Sequence, residues 1–368
     1  ERVWRRNSRG DYWIYNLQAK TLHKLGGPDA APSSLMFAKL SPRGTHVAYV
    51  RDANIHIESL EDHSIRTLTT NSNNQIFNGR FDWVYEEELG VRDGFRWSPD
   101  GKAIAYWQFD ETGVRKQTLV DNVSNLYPKV TRFGYPKAGQ RNASCRVGVV
   151  EIETTETTWI QIPGDPREHY LARMEWAGAD NSDELVIQQL NRAQDTKVVI
   201  IAQRRSGRVR TVLTEEDPTW VVMNNNLHWT PDGRHFTWTS ERDGWEQLYR
   251  VSRDGTRTIK LTTDDFDINL LHVDNAGLWA YFLASPEEPS QRYLYRIGLD
   301  GQGLSRLTPE SEHRGTHSYR ISPSGRFAVW TRSDADTPSV TRLVSLPDHA
   351  IIKTCLLYTS PSPRDRVQ

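Results

Sequence analysis

Three consecutive carboxylates, Glu86, Glu87 and Glu88, follow two aromatic residues in Trp83-Val84-Tyr85-Glu86-Glu87-Glu88-Leu89. Adjacent acids held together repel one another, and a bound cation relieves that repulsion. A primary ammonium suits such a site, because its three N–H donors can be shared among several carboxylate oxygens. A solvated acidic turn of helix is the alternative, and the residues alone leave both readings open. Other chemistry is sparse. Cys145 and Cys355 are the two cysteines, so neither a disulfide framework nor a cysteine-based metal site is expected. No metal or organic cofactor is indicated. A G-x-S-x-G nucleophile elbow occurs nowhere in the 368 residues. Glycosidase chemistry asks for two acids about 5–9 Å apart across a sugar, which sequence-adjacent glutamates fit poorly.

The elements that position the acids form a repeat. A turn signal recurs as Ser41-Pro42-Arg43-Gly44, Ser98-Pro99-Asp100-Gly101, Thr230-Pro231-Asp232-Gly233 and Ser322-Pro323-Ser324-Gly325, with weaker copies at Ala177-Gly178-Ala179-Asp180 and Asp274-Asn275-Ala276-Gly277. The starts at 41, 98, 177, 230, 274 and 322 are spaced by 57, 79, 53, 44 and 48 residues. Proline presets φ at the second turn position, and glycine at the fourth accepts a conformation that other residues resist. Each turn leads into a strand-like run such as Ala103-Ile104-Ala105-Tyr106-Trp107. A second strand pair follows, joined by Asp254-Gly255 in one unit and Asp300-Gly301 in another, 46 residues apart. Asp-Gly between alternating runs is a hairpin signal.

Four short strands in roughly 40–50 residues is the arithmetic of a propeller blade. The fold class expected is therefore all-β, a β-propeller; a pair of β-sandwiches is the competing all-β arrangement. Six starts and a partial unit at Tyr12-Trp13-Ile14-Tyr15 imply seven or more blades. The 46 Lys and Arg balance 47 Asp and Glu, a formal net charge of -1. That balance gives no electrostatic reason to expect nucleic acid or an anionic membrane as partner. Aromatics form 10% of the chain, enough for a sizeable core and against disorder.

Function is sought where the repeat is broken. From Thr263 to Asp274 the link between units is 11 positions and from Thr308 to Ser322 it is 14, but from Thr69 to Ser98 it is 29. The excess of about fifteen residues carries the acid triplet. A second excursion, 110–144, contains Tyr127-Pro128-Lys129 and Tyr135-Pro136-Lys137-Ala138-Gly139, whose prolines argue for an extended or turning path with a structural role. Asn122-Val123-Ser124 and Asn142-Ala143-Ser144 match the glycosylation pattern.

Asp82-Trp83-Val84-Tyr85-Glu86-Glu87-Glu88, then Trp97-Ser98-Pro99-Asp100-Gly101, Ala105-Tyr106-Trp107-Gln108-Phe109 and the two Tyr-Pro-Lys segments, resemble the dipeptidyl peptidase IV family of the prolyl oligopeptidase clan. The stretch from Trp4-Arg5-Arg6-Asn7 to Asn16-Leu17 resembles the segment preceding them, so the likeness covers residues 1–354. The resemblance implies an eight-bladed propeller, here without its first blade or so, that caps an α/β-hydrolase domain in a serine peptidase releasing N-terminal X-Pro or X-Ala dipeptides. Glu87 and Glu88 would hold the free amino terminus of the peptide substrate, and Arg5 a substrate backbone carbonyl. The partners implied are that peptide, the hydrolase domain in cis and, in the parent protein, a second copy. Periplasmic, secreted or membrane-anchored locations fit the family.

The resemblance places the catalytic Ser, Asp and His in a domain this sequence does not carry, so no residue here is expected to be catalytic. His169, His228 and His317 then read as surface or structural histidines. A non-catalytic propeller that binds peptides or proteins is the runner-up. Residues 355–368 fit no blade and read as a non-native tail, and an incomplete propeller is expected to expose strand edges.

Overall fold

The computed structural model describes residues 7–355 except Ser72, Ala179 and His313. Arg5 and residues 356–368 lie outside them. The chain divides into two compact units, Glu1–Met223 and Asn224–Gln368, each built from antiparallel sheets in which neighbouring strands are mostly consecutive in the chain. Helix among the described residues is confined to Trp83–Glu87 and a 3-10 turn at Glu310–Glu312.

In the first unit, Leu35–Leu40, His46–Arg51, Asn54–Ser59 and Ile65–Thr67 pair in that order, with Arg9–Gly10 added beside the first. Strands His169–Trp176, Glu184–Asn191, Thr196–Gln203 and Val209–Glu216 form a second meander. The second unit holds two more. One runs through Ile268–Val273, Trp279–Ala284, Tyr293–Gly298 and Ser305–Arg306, the other through Thr316–Ile321, Phe327–Ser333, Val340–Ser345 and Ile351–Thr354. Four-stranded antiparallel meanders of this size are propeller blades, so the fold class is all-β of the propeller type.

The repeat has a physical basis that the structure makes explicit. In the turns ending at Gly44, Gly101, Gly233, Gly277 and Gly325, the glycine N–H donates to the residue three before it at 2.8–2.9 Å. These glycines share φ between 64° and 68°, the left-handed region that a side chain disfavours. Five residues after each lies a large aromatic, Tyr49, Tyr106, Trp238, Phe282 or Trp330, at most 2% exposed. In these five sheets the turn thus sets the register that drives one aromatic into the core. A second recurrent bond closes the blades. Thr69, Thr262 and Thr308 each accept through Oγ1 from a backbone N–H fourteen residues earlier, that of Ile55, Leu248 and Leu294.

The two excursions both belong to the sheet containing Ala103–Asp110. That strand is buried over seven successive residues rather than alternate ones, because both faces of the sheet are covered. It pairs with Ser144–Glu151, which pairs with Thr157–Trp159. Between Asp110 and Ser144 the chain leaves the sheet as a two-stranded arm, Lys116–Asp121 with Lys129–Gly134. Much of the arm is exposed, including Leu119, Val120, Val123, Leu126 and Tyr127. Asn122 is exposed on it, whereas Asn142 is buried and its amide is engaged, donating to the Tyr170 hydroxyl at 3.1 Å. Cys145 is buried and Cys355 exposed, and both are free thiols.

Candidate functional site

The acid triplet sits on an insertion that splits an edge strand. Ile76–Asn78 and Phe95–Trp97 both pair with Ala103–Asp110 on the same side, the first at Gln108–Asp110 and the second at Ile104–Tyr106. Between them residues 79–94 leave the sheet and return. Their ends are stapled together: Gly94 N–H donates to Gly79 O at 3.0 Å, Gly79 N–H to Trp107 O at 2.9 Å, and Trp107 N–H to Gly94 O at 3.0 Å. A Cβ on Gly94 would fall 2.5 Å from the Gly79 carbonyl carbon, so only glycine permits this approach.

The inserted segment folds as the helix Trp83–Glu87. Asp82 caps it, in extended conformation, by accepting the Tyr85 N–H at 2.9 Å. Tyr85 anchors it from below. Its ring is stacked on Phe81 at 5.6 Å and meets Phe109 edge-on at 4.7 Å, while its hydroxyl accepts the Leu171 N–H at 2.8 Å. From the other excursion Tyr135 packs on Trp83 with ring centroids 4.2 Å apart. A five-residue helix is too short to hold itself. The cap, the buried tyrosine and the Trp83–Tyr135 contact hold it instead.

The acids are sorted by burial. Glu86 is buried, Glu87 half-buried, and Glu88, at the C-cap, exposed. Burial raises the Glu86 carboxyl, with Arg92 opposing and the Glu87 charge adding. Asp82 is pushed up to about 7 by burial, helped by Glu111 and opposed by the Tyr85 N–H and by Arg80. No basic residue stands in the last turn, where cations would meet the carbonyl end of the helix favourably. Acids at that end raise the local negative potential further.

Glu87 and Glu88 are thus brought together at the open end of the helix, and Arg5 lies outside the described residues. The sequence reading missed the residues beneath them. Asp82 before an aromatic-acid run is a legible capping signal; the aromatic platform of Phe81, Tyr85 and Phe109 joins residues distant in the chain and left no local signal. His169 and His317 are buried, His228 is partly so, and burial lowers the pKa of all three, in keeping with structural roles.

Residues 1–339 match the model of the dipeptidyl peptidase IV (DPP IV) N-terminal region. A blade-built β scaffold carrying an acidic helical insertion is thereby placed among peptidase propellers, and the chain belongs to the dipeptidyl peptidase IV N-terminal region family. A probable dipeptidyl peptidase 4 of Aspergillus fumigatus is 28% identical over 343 residues, which cover 89% of this chain and 44% of the relative. A probable dipeptidyl-aminopeptidase B of Coccidioides posadasii is 26% identical over 362 residues, covering 91% and 39%. The crystal structure of Porphyromonas gingivalis dipeptidyl peptidase 4 superimposes with a TM-score of 0.87 at 27% identity, covering 97% of this chain and 50% of that one. The structure of a dipeptidyl aminopeptidase IV homologue from Bacteroides ovatus shares the fold, with a TM-score of 0.77 at 22% identity. The chain therefore spans about half the length, or less, of the relatives it matches.

Proposed function

We propose that this propeller is the substrate-binding part of a serine exopeptidase, with Glu87 and Glu88 anchoring the free amino terminus of a peptide from which an N-terminal dipeptide is released. The observation that carries the reading is the placement of two adjacent glutamates at the exposed C-terminal end of a helix whose other end and underside are locked into the sheet. A rigid pair of carboxylates fixes the position of an ammonium, and an anchored ammonium fixes how far the peptide reaches toward a nucleophile. Longer extensions are excluded by the same contact, so the anchor acts as a ruler. Arg5, by resemblance, holds the carbonyl that follows. The nucleophile, its histidine and its acid belong to a hydrolase domain outside the present sequence, so the 368-residue chain by itself is expected to hydrolyse no Gly-Pro-arylamide.

Each charge-assisted hydrogen bond is worth roughly 1.5–3 kcal/mol. In the protein with its hydrolase domain, Glu87→Gln or Glu88→Gln should lower kcat/KM for a Gly-Pro-arylamide about 10- to 150-fold. The same variants should lose the preference for a free over an acetylated amino terminus. Unchanged turnover and unchanged preference in both variants would remove the amine-anchor assignment.

A further inference from the structure

Upstream of the acid triplet, three side chains converge that the peptide reading does not use. His23 lies on Thr21–Lys24, Glu58 on Asn54–Ser59, and His63 in the turn that leads into Ile65–Thr67. We propose that they form a binding site for one divalent transition-metal ion of the zinc class. Their donor atoms all lie within 4.8 Å of one another. His23 Nε2 is 2.7 Å from Glu58 Oε1, and the two imidazoles are stacked with centroids 3.8 Å apart and planes 16° from parallel.

The carboxylate is set up as a ligand. Glu58 is fully buried, and its Oε2 accepts the Gly26 N–H at 2.8 Å and the Tyr49 hydroxyl at 3.3 Å. Those contacts orient the group and leave Oε1 turned toward the imidazoles, the outer-shell arrangement that aims a metal-binding carboxylate. An ion pair between His23 and Glu58 would account for two of the three residues. It does not account for His63, which adds no hydrogen bond to the pair but brings a third donor to it.

The backbone at His63 is left-handed. Its N–H donates to Ser59 O at 3.1 Å while Ser59 N–H donates to Ser64 O at 3.0 Å. The hairpin ending at Gly207 repeats the pattern, with 2.9 Å from Gly207 N–H to Gln203 O and 2.8 Å from Gln203 N–H to Arg208 O. Glycine occupies the left-handed position there, with φ of 69°, whereas His63 holds φ of 57°. Thr155 holds the same position, with φ of 61°, in the hairpin where its N–H donates to Glu151 O at 2.9 Å, so the position accepts several residues and glycine can replace His63 there without backbone strain.

Two imidazole nitrogens and one carboxylate oxygen suit zinc, and with it cobalt, nickel and copper. Calcium and magnesium ask for more oxygens. The ion would take the place of the proton between His23 and Glu58. Ligand distances of about 2.0–2.2 Å require that contact to widen and the His63 ring to turn toward it. Both movements have room, since His63 is exposed and the His23 side chain is 30% exposed. Water would complete the coordination. Bound there, the ion would clip the two-stranded sheet of Trp13–Asn16 and Thr21–Lys24 to the blade containing Glu58. The site shares no residue with the acid helix, so its test does not depend on the amine-anchor reading.

Cobalt(II) is the direct probe. The full chain, stripped with a chelator, should bind one equivalent of cobalt(II) with the visible bands of a low-coordinate nitrogen and oxygen site. Zinc should displace the cobalt and raise the thermal midpoint. His63→Gly removes the ligand while relieving the backbone, so the stripped variant should unfold no earlier than the stripped parent. Its cobalt affinity should drop roughly tenfold or more, at least the loss typical of outer-shell changes. His23→Gln should also lose the visible bands. Absence of a one-equivalent cobalt spectrum in the parent chain, or an equal affinity in parent and His63→Gly, would overturn the site.

Discussion

The rings of Trp83 and Tyr135 lie 4.2 Å apart, tilted by 44°, and join two segments that each depart from the blade repeat. Trp83 opens the helix that ends in Glu87, and Tyr135 follows the arm that returns at Gly134. The longer excursion therefore buttresses the shorter one. An aromatic pair of this kind contributes about 0.5–1.5 kcal/mol beyond area burial. Tyr135→Ala should accordingly weaken peptide binding about 2- to 12-fold, with the circular dichroism of the sheets retained, while Tyr135→Phe should be near neutral. Protease susceptibility of residues 79–94 would report the same loosening, and equal protection in Tyr135→Ala and the parent would separate the arm from the helix.

The cap of that helix gives a prediction in pH. Asp82 is pushed up to about 7 in the folded chain from an ordinary value of 3.8. The folded state then binds a proton that the unfolded state has lost. The stability this contributes is fully present below about 4 and is lost as pH rises toward 7. Asp82→Asn keeps an oxygen that can accept the Tyr85 N–H and carries no charge at any pH. It should match the parent near pH 4 and exceed it at pH 8 in denaturant melts, whereas Asp82→Ala should lose about 1 kcal/mol of capping. A parent and an Asp82→Asn variant with parallel stability curves would refute the assignment.

Two glycines of the same insertion should behave oppositely. Gly94→Ala places a methyl 2.5 Å from the Gly79 carbonyl carbon and 2.7 Å from the Arg80 nitrogen, both backbone atoms. Overpacking of that sort costs about 1–3 kcal/mol, and it should release the acid helix as well as lower the melting point. Gly90 has φ of 66° and open space around its Cβ position. Gly90→Asn should therefore be tolerated within about 1 kcal/mol, because asparagine enters the left-handed region more readily than other side chains. Equal losses from the two would mean that the Gly79–Gly94 contact does not hold the insertion.

How far these features could be read from the chain follows from their range. The Pro-Gly turns and the aromatic five residues after each are local, so blade register was legible. The acid triplet was legible as an excess in a counted repeat. What escaped were contacts between residues far apart in sequence: Tyr85 beneath Leu171, Tyr135 on Trp83, and His23 against Glu58. Pairings across 86, 52 or 35 residues leave no period in a single sequence. The split of one edge strand into Ile76–Asn78 and Phe95–Trp97 was equally hidden, since each half alone is a short apolar run without a stated partner.

The second unit carries a titration of opposite sign to Asp82. His317 is fully buried, and the Trp330 indole N–H donates to its Nδ1 at 2.9 Å. Burial, reinforced by the Arg332 and His349 charges against the Arg314 backbone and Glu312, brings its pKa down from 6.5 to about 4. A base whose folded value is depressed contributes stability that is present above its unfolded value and lost as pH falls. Between about 6.5 and 4 the unfolded chain binds a proton that the folded one refuses, a loss on the order of 3 kcal/mol across the window. His317→Gln retains an acceptor in that region and removes the titration. The variant should be less stable than the parent at pH 7.5, where the packing against Trp330 is disturbed, yet lose less on acidification to pH 4.5. Hydrogen exchange of Thr316–Ile321 and Phe327–Ser333 measured at both pH values localises the effect to this blade. If the parent and His317→Gln show the same loss of protection in acid, the acid lability of the second unit belongs to another group.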